Sequence, residues 1–182
     1  MMVRAFLIGV FLCAVSFSCL AQMWPEPKAP AIEKADPYVA IPGAALSPTP
    51  KSSYSGIFDA TKMAKTPDAL IPAVNAVGGL LNDLAVGGTL RSNTHFVLVF
   101  HGAATDGILD NEHYRAKYGI DNPNLATLSK MRKMGVELYV CGQHLAGNKI
   151  DPKTLTPDVR VAADAYLVLL AYQNKGYGVM FF

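Results

Sequence analysis

Seven consecutive residues, His95-Phe96-Val97-Leu98-Val99-Phe100-His101, leave this chain little choice of architecture. The segment between the two histidines is continuously apolar, without the alternation of a strand that has one wet face. Such a strand has to be covered on both sides, as happens inside a parallel sheet with helices above and below it. The rest of the chain is therefore read for the strands and helices of a layered α/β domain.

Ser55 to Ala60 reads as a first strand, weakened by Gly56. Leu70, Ile71, Val74, Val77, Leu81 and Leu84 then recur three or four apart, which predicts a helix with one apolar stripe facing the sheet. Thr66 or Asp68 can cap it, with Pro67 in its first turn, while Pro72 delays or bends its start. Gly78 and Gly79 each cost about 1 kcal/mol relative to alanine inside a helix, so the pair implies close approach of another backbone. A polar stretch from Gly102 to Gly119, containing Asp106, His113 and Tyr114, leaves room for one short helix. Asn122-Pro123 predicts a cap and first-turn proline for a helix running through Leu125, Leu128 and Met131 to Gly135.

Val136 to Cys141 is the third strand, broken by Gly142 and followed by a helical turn around His144 and Leu145. Asp151-Pro152 and Thr156-Pro157 punctuate a loop, and Val159 to Val161 makes a brief strand. Asp164 opens a strongly apolar helix ending at Gly176, and Tyr177 to Phe182 is the last strand. Five strands joined by long crossovers predict a mainly parallel sheet with helices on both faces.

The N-terminus carries a different signal. Arg4 precedes the apolar run Ala5 to Val15, too short to span a bilayer comfortably, and Cys19-Leu20-Ala21 ends in a small residue. Residues 1–21 read as a cleaved signal peptide, which implies a secreted or periplasmic protein. Ser16-Phe17-Ser18 fits poorly with lipid attachment at Cys19. Removal of the leader discards Cys13 and Cys19, and one thiol, Cys141, remains. Seven of the twelve prolines fall between residues 22 and 53, which predicts an extended linker, or an arm that packs over a neighbouring subunit with Trp24 as its anchor. A net charge of +2 without any Lys/Arg run argues against nucleic acid as a partner. Beyond the leader no segment suggests a membrane span.

In open parallel sheets, ligands collect beyond the carboxyl ends of the strands, where His101 and Cys141 both belong. A cysteine closing a strand ahead of a helix start faces free backbone N–H groups, which favour thiolate over thiol. Cys141 is thus a candidate nucleophile, with His144 from the first helical turn or His101 from the neighbouring strand as proton relay or cationic support. Gly102, Gly142 and Gln143 are candidate ligand contacts at the same end, Gly142 leaving the sulfur uncovered. The opposing interpretation is a buried, inert cysteine and two structural histidines. A zinc site from Cys141, His101, His113 and His144 would lack any compact ligand pair. No phosphate loop, Gly-x-Ser-x-Gly elbow, His-Glu-x-x-His or Cys-x-x-Cys is present, so neither a cofactor nor a resident metal is expected.

Four segments in order, His95 to Gly102, Asn122-Pro123-Asn124-Leu125, Gly135 to Gln143, and Gly176-Tyr177 before a terminal strand, resemble the DsrE/DsrF-like (YchN-like) family over residues 54–182. The resemblance implies a flavodoxin-like three-layer α/β fold, a homo-oligomer (trimer or hexamer), and sulfur relay with a persulfide on the cysteine matching Cys141. It also implies sulfur donor and acceptor proteins as partners. Relay members of the family work in the cytoplasm with dedicated partner subunits, whereas a leader and a proline-rich arm set this chain apart. The competing expectation is a non-catalytic protein of the cell envelope that binds a small ligand or serves assembly. A third is redox sensing through sulfenic acid at Cys141.

Overall fold

A computed structural model describes residues 24–182; the expected leader, with Cys13 and Cys19, lies outside the described residues. Five strands, β1 (Tyr54–Ala60), β2 (Thr94–Phe100), β3 (Glu137–Cys141), β4 (Arg160–Ala162) and β5 (Gly178–Phe181), form one sheet in the order β4-β3-β2-β1-β5. Every neighbouring pair is parallel. The helices are α1 (Pro72–Val86), α2 (Asn111–Tyr118), α3 (Leu125–Lys133), α4 (Gly142–Gly147) and α5 (Ala165–Gln173). The expected three-layer α/β fold is the one observed.

The chain steps outward from β1 to β4 and then crosses back to set β5 on the far side of β1. Right-handed crossovers make that reversal change the face on which the connecting helix lies. Accordingly, Val74, Val77 and Leu81 of α1 and Leu128 and Met131 of α3 pack on one side of the sheet with Phe58, Leu98, Phe100 and Val140. Ala165, Val168, Leu169 and Tyr172 of α5 pack on the other with Ile57, Val97, Val99 and Cys141. Phe96 to Phe100 are all buried, as a strand covered on both faces requires. Among the described residues no helix is long and apolar enough to cross a membrane.

Two helix starts differ from the sequence expectation. Helix α1 begins at Pro72 itself, with Ile71 as its cap and neither Thr66 nor Asp68 in that role. The Ile71 N–H is satisfied by Asn124 Oδ1 at 2.9 Å, so a side chain distant in sequence replaces the local cap. Helix α3 starts at Leu125 with Asn124 before it, while Asn122 Oδ1 accepts from the Asn124 N–H at 2.9 Å.

Part of the proline-rich segment lies against α1 of the same chain. Asn82, buried on α1, accepts from the N–H groups of Ala31 and Ile32 at 2.9 and 2.8 Å and donates to the carbonyls of Ile32 and Asp36 at 3.0 Å each. The α1 glycines follow from this contact. A Cβ on Gly78 would stand 2.3 Å from the Ala35 Cβ, so the arm and helix could not approach as they do.

Candidate functional site

Cys141 ends β3 and is also the residue that caps α4: its Sγ accepts a hydrogen bond from the His144 N–H at 3.4 Å. The bond arises because β3 turns directly into α4, leaving first-turn N–H groups without helical acceptors. Gly142 makes that abrupt turn fit, since a Cβ there would come within 2.7 Å of the Ala162 carbonyl oxygen at the end of β4. Close approach of a neighbouring strand, rather than exposure of the sulfur, is what glycine permits here. Cys141 keeps only 5% of its surface exposed and joins the apolar cluster beneath α5.

The register of the sheet brings His101 to the same row. Phe100 pairs with Val140 across β2 and β3, so the next residues along the two chains are His101 and Cys141. Strand alternation sets His101 on the face of Val97 and Val99, and Asp59 on the face of Ile57, which is the face of Cys141. There His101 Nε2 lies 2.7 Å from Asp59 Oδ1, the imidazole 20% and the carboxylate 7% exposed. A carboxylate only accepts, so Nε2 is the donor in this bond and Nδ1 is the ring nitrogen left for another partner. Tyr166 of α5 sits edge-on to the imidazole at a centroid distance of 6.0 Å.

The remaining predicted site residues divide. The backbone of His144 serves the sulfur, but its imidazole Nδ1 faces the Asn148 side-chain amide at 3.3 Å. Neither imidazole hydrogen-bonds to the sulfur among the described residues. Gly102 opens the turn after β2 with φ +57°, and Gln143 is exposed on α4. His113 lies on α2, bonded at 2.7 Å to Asp110, which caps that helix. Among the described residues no group of three or more His, Cys, Asp or Glu is set to hold a metal ion. Asp59 was missed by sequence reasoning, although a carboxylate in an otherwise apolar strand is itself a signal, since burying a charge is costly unless it is paired.

At the other end of the same face a polar cluster fastens α5. Glu137 accepts from Tyr172 at 2.8 Å, from Tyr139 at 2.9 Å and from Arg160 at 2.7 Å. Burial pushes the Glu137 carboxyl upward, but the bonds from Tyr172, Tyr139 and Arg160 outweigh it and hold the group below the ordinary glutamate value. Tyr172 is shifted upward by its burial and by its bonds to Tyr139 and Glu137.

An all-parallel five-stranded α/β layer with a cysteine at the carboxyl end of an inner strand, leading straight into a helix, defines the class of this protein. The model of the DsrE/DsrF-like family matches residues 54–182, and the chain belongs to that family. The solved structure of MTH1491, a protein of unknown function from Methanobacterium thermoautotrophicum, superposes with a TM-score of 0.55 at 15% identity, covering 71% of this chain and 100% of that one. That likeness establishes the fold alone. The ychN protein from E. coli is similar at a TM-score of 0.47 and 14% identity, over 71% of this chain and 99% of its own. No curated protein sequence matches the chain.

Proposed function

We propose that this protein is an exported sulfur carrier that holds sulfane sulfur as a persulfide on Cys141. The observation that supports it is the convergence of the Cys141 sulfur, the His144 N–H and the Asp59–His101 pair at the carboxyl end of the sheet. In the step proposed, the Cys141 thiolate attacks the terminal sulfur of a donor persulfide or polysulfide. A sulfur–sulfur bond forms to Cys141 and the donor's own sulfur–sulfur bond breaks. The rest of the donor leaves as a thiolate from a persulfide, or as a hydrosulfide or shortened polysulfide anion from a polysulfide, and takes up the proton that Cys141 released. The sulfane sulfur keeps its oxidation state, so no external oxidant or reductant enters. His101 is the base that receives the Cys141 proton, and the His144 N–H stabilises negative sulfur. The acceptor's thiolate reverses the sequence. With Cys141 only 5% exposed, the site favours a slender donor such as inorganic polysulfide over a bulky disulfide.

The test is intact-protein mass spectrometry after incubation with polysulfide. The wild type gains the mass of one or more sulfur atoms, lost on reduction; equal gain by Cys141→Ser defeats the proposal. Amino-terminal sequencing of the exported form is expected to find a start after Ala21.

A second observation favours self-assembly. Tyr166, Leu167 and Leu170 of α5 are 64%, 60% and 55% exposed although the opposite side of the helix is buried. A helix apolar all round belongs in an interior, and a second copy of this chain is the occupant proposed for its outer face.

A further inference from the structure

At the amino ends of the strands, remote from Cys141, the docked arm roofs a cavity of about 360 Å³ that no part of the sulfur chemistry uses. Its walls are Tyr38 from the arm, Tyr54 at the start of β1, Phe96 of β2, Leu80 and Asp83 of α1, and Met180 of β5. Gly56 leaves room for the Met180 side chain in its wall, since a Cβ there would lie 2.9 Å from the Met180 Cε. The roof is fixed by two sets of bonds: the Asn82 set already described, and Thr89 Oγ1 donating to the Thr49 carbonyl at 2.8 Å. The volume lies within the range of small-molecule sites.

Asp83 is the one residue with a formal charge among those lining this largely apolar space. Among the described residues no cation pairs with it, and no other residue donates a hydrogen bond to it. Burial raises its pKa, the mark of a carboxylate that lacks compensation. Three aromatic rings flank the same volume, and aromatic faces attract cations as a carboxylate does.

We propose that the cavity between the arm, α1, the amino ends of β1 and β2 and Met180 of β5 binds a small hydrophobic ammonium compound, its cation on Asp83 and its apolar body among Tyr38, Tyr54, Phe96, Leu80 and Met180. The apolar wall takes up the hydrocarbon, and the carboxylate selects positive charge over neutral or negative ligands of equal shape. This site is independent of Cys141.

Calorimetric titration of the mature protein tests it, with phenethylamine, 2-phenylethanol and 3-phenylpropionate as probes. Phenethylamine is expected to bind about tenfold more tightly than the alcohol and the carboxylate more weakly than either, on the scale of one desolvated cation contact. Asp83→Asn is expected to erase the preference for the amine while leaving the alcohol unaffected. Ser47→Trp, on the exposed arm at the cavity mouth, is expected to weaken all three. The Asp83 carboxyl ¹³C resonance of the wild type, shifting with phenethylamine and not with the alcohol, supplies a readout without substitution. Absence of amine binding, equal binding of amine and alcohol, survival of the preference in Asp83→Asn, or an unmoved Asp83 resonance overturns the proposal.

Discussion

His101 donates from Nε2 to Asp59 Oδ1 across 2.7 Å, between adjacent parallel strands and over a sequence separation of 42 residues. The pair holds the imidazole in one tautomer at the row where Cys141 ends the neighbouring strand. Replacing Asp59 with Asn keeps the shape but removes the charge that fixes the ring. Asp59→Asn is therefore expected to slow sulfur loading of Cys141 by about tenfold to a hundredfold, no more than the lower end of what acid–base assistance supplies, because the ring is misoriented rather than removed. Time-resolved mass spectrometry measures it. A loading rate equal to wild type would mean that the pair is structural.

Burial of the sulfur carries its own prediction. Cys141 lies beneath α5 with 5% of its surface exposed, so collision with large reagents is restricted. The native thiol is expected to react with an aromatic disulfide at least about a hundredfold more slowly than the unfolded protein, yet to load readily with inorganic polysulfide. Stopped-flow comparison of the two reagents checks the contrast. Equal suppression of both reactions would leave Cys141 as a packing residue.

How far the sequence discloses this site depends on whether local or distant contacts decide it. The buried strand around Val97 to Phe100 and the cysteine at the end of β3 are local patterns and are legible. Asp59 is not, because its partner is chosen by the β1–β2 register, which no short window contains. His144 is misleading for a geometric reason. Its place in the first turn of α4 offers its backbone N–H to the sulfur, while the ring falls one turn along, beside Asn148. The start of α1 is obscured in the same way, since the Ile71 N–H finds its acceptor on Asn124. The glycine pair of α1 does announce a close neighbour, but only the folded chain identifies it as Ala35 of the arm.

The arm depends on Asn82, whose Oδ1 accepts from the buried N–H groups of Ala31 and Ile32 and whose amide donates to the carbonyls of Ile32 and Asp36. Asn82→Ala is expected to cost about 2 to 4 kcal/mol and to release the arm before the domain unfolds. Limited proteolysis and hydrogen exchange should show residues 28–38 exposed while β2 and β3 stay protected. Exchange in the arm that matches wild type would indicate that apolar contacts of Ala31, Ile32 and Ala35 suffice.

Acid is expected to weaken the docking of α5 through Glu137. Its carboxyl titrates lower in the folded protein than in the unfolded chain, so its contribution is fully present above the ordinary glutamate range and is lost as pH falls through the folded value. The melting temperature of wild type is expected to exceed that of Glu137→Gln near neutral pH, with the gap closing in acid below about pH 4. A gap that is constant with pH would show that charge on Glu137 contributes nothing beyond its hydrogen bonds.

The proposed self-assembly rests on the outer face of α5. Leu170 lies three residues from Leu167 and four from Tyr166, so it joins both in one exposed patch, and burying a leucine fully is worth about 1.5 to 3 kcal/mol. Two glutamates in place of Leu167 and Leu170 would put charge where apolar contact is needed, without touching Val168, Leu169 or Tyr172 on the buried side. The double variant is expected to run as a monomer in light scattering while retaining its fold by circular dichroism. The wild type is expected to run as a closed oligomer, since a self-complementary patch present once per chain is used up when copies pair through it. A monomeric wild type would instead leave the stripe to a different protein, and the second copy proposed here would be wrong.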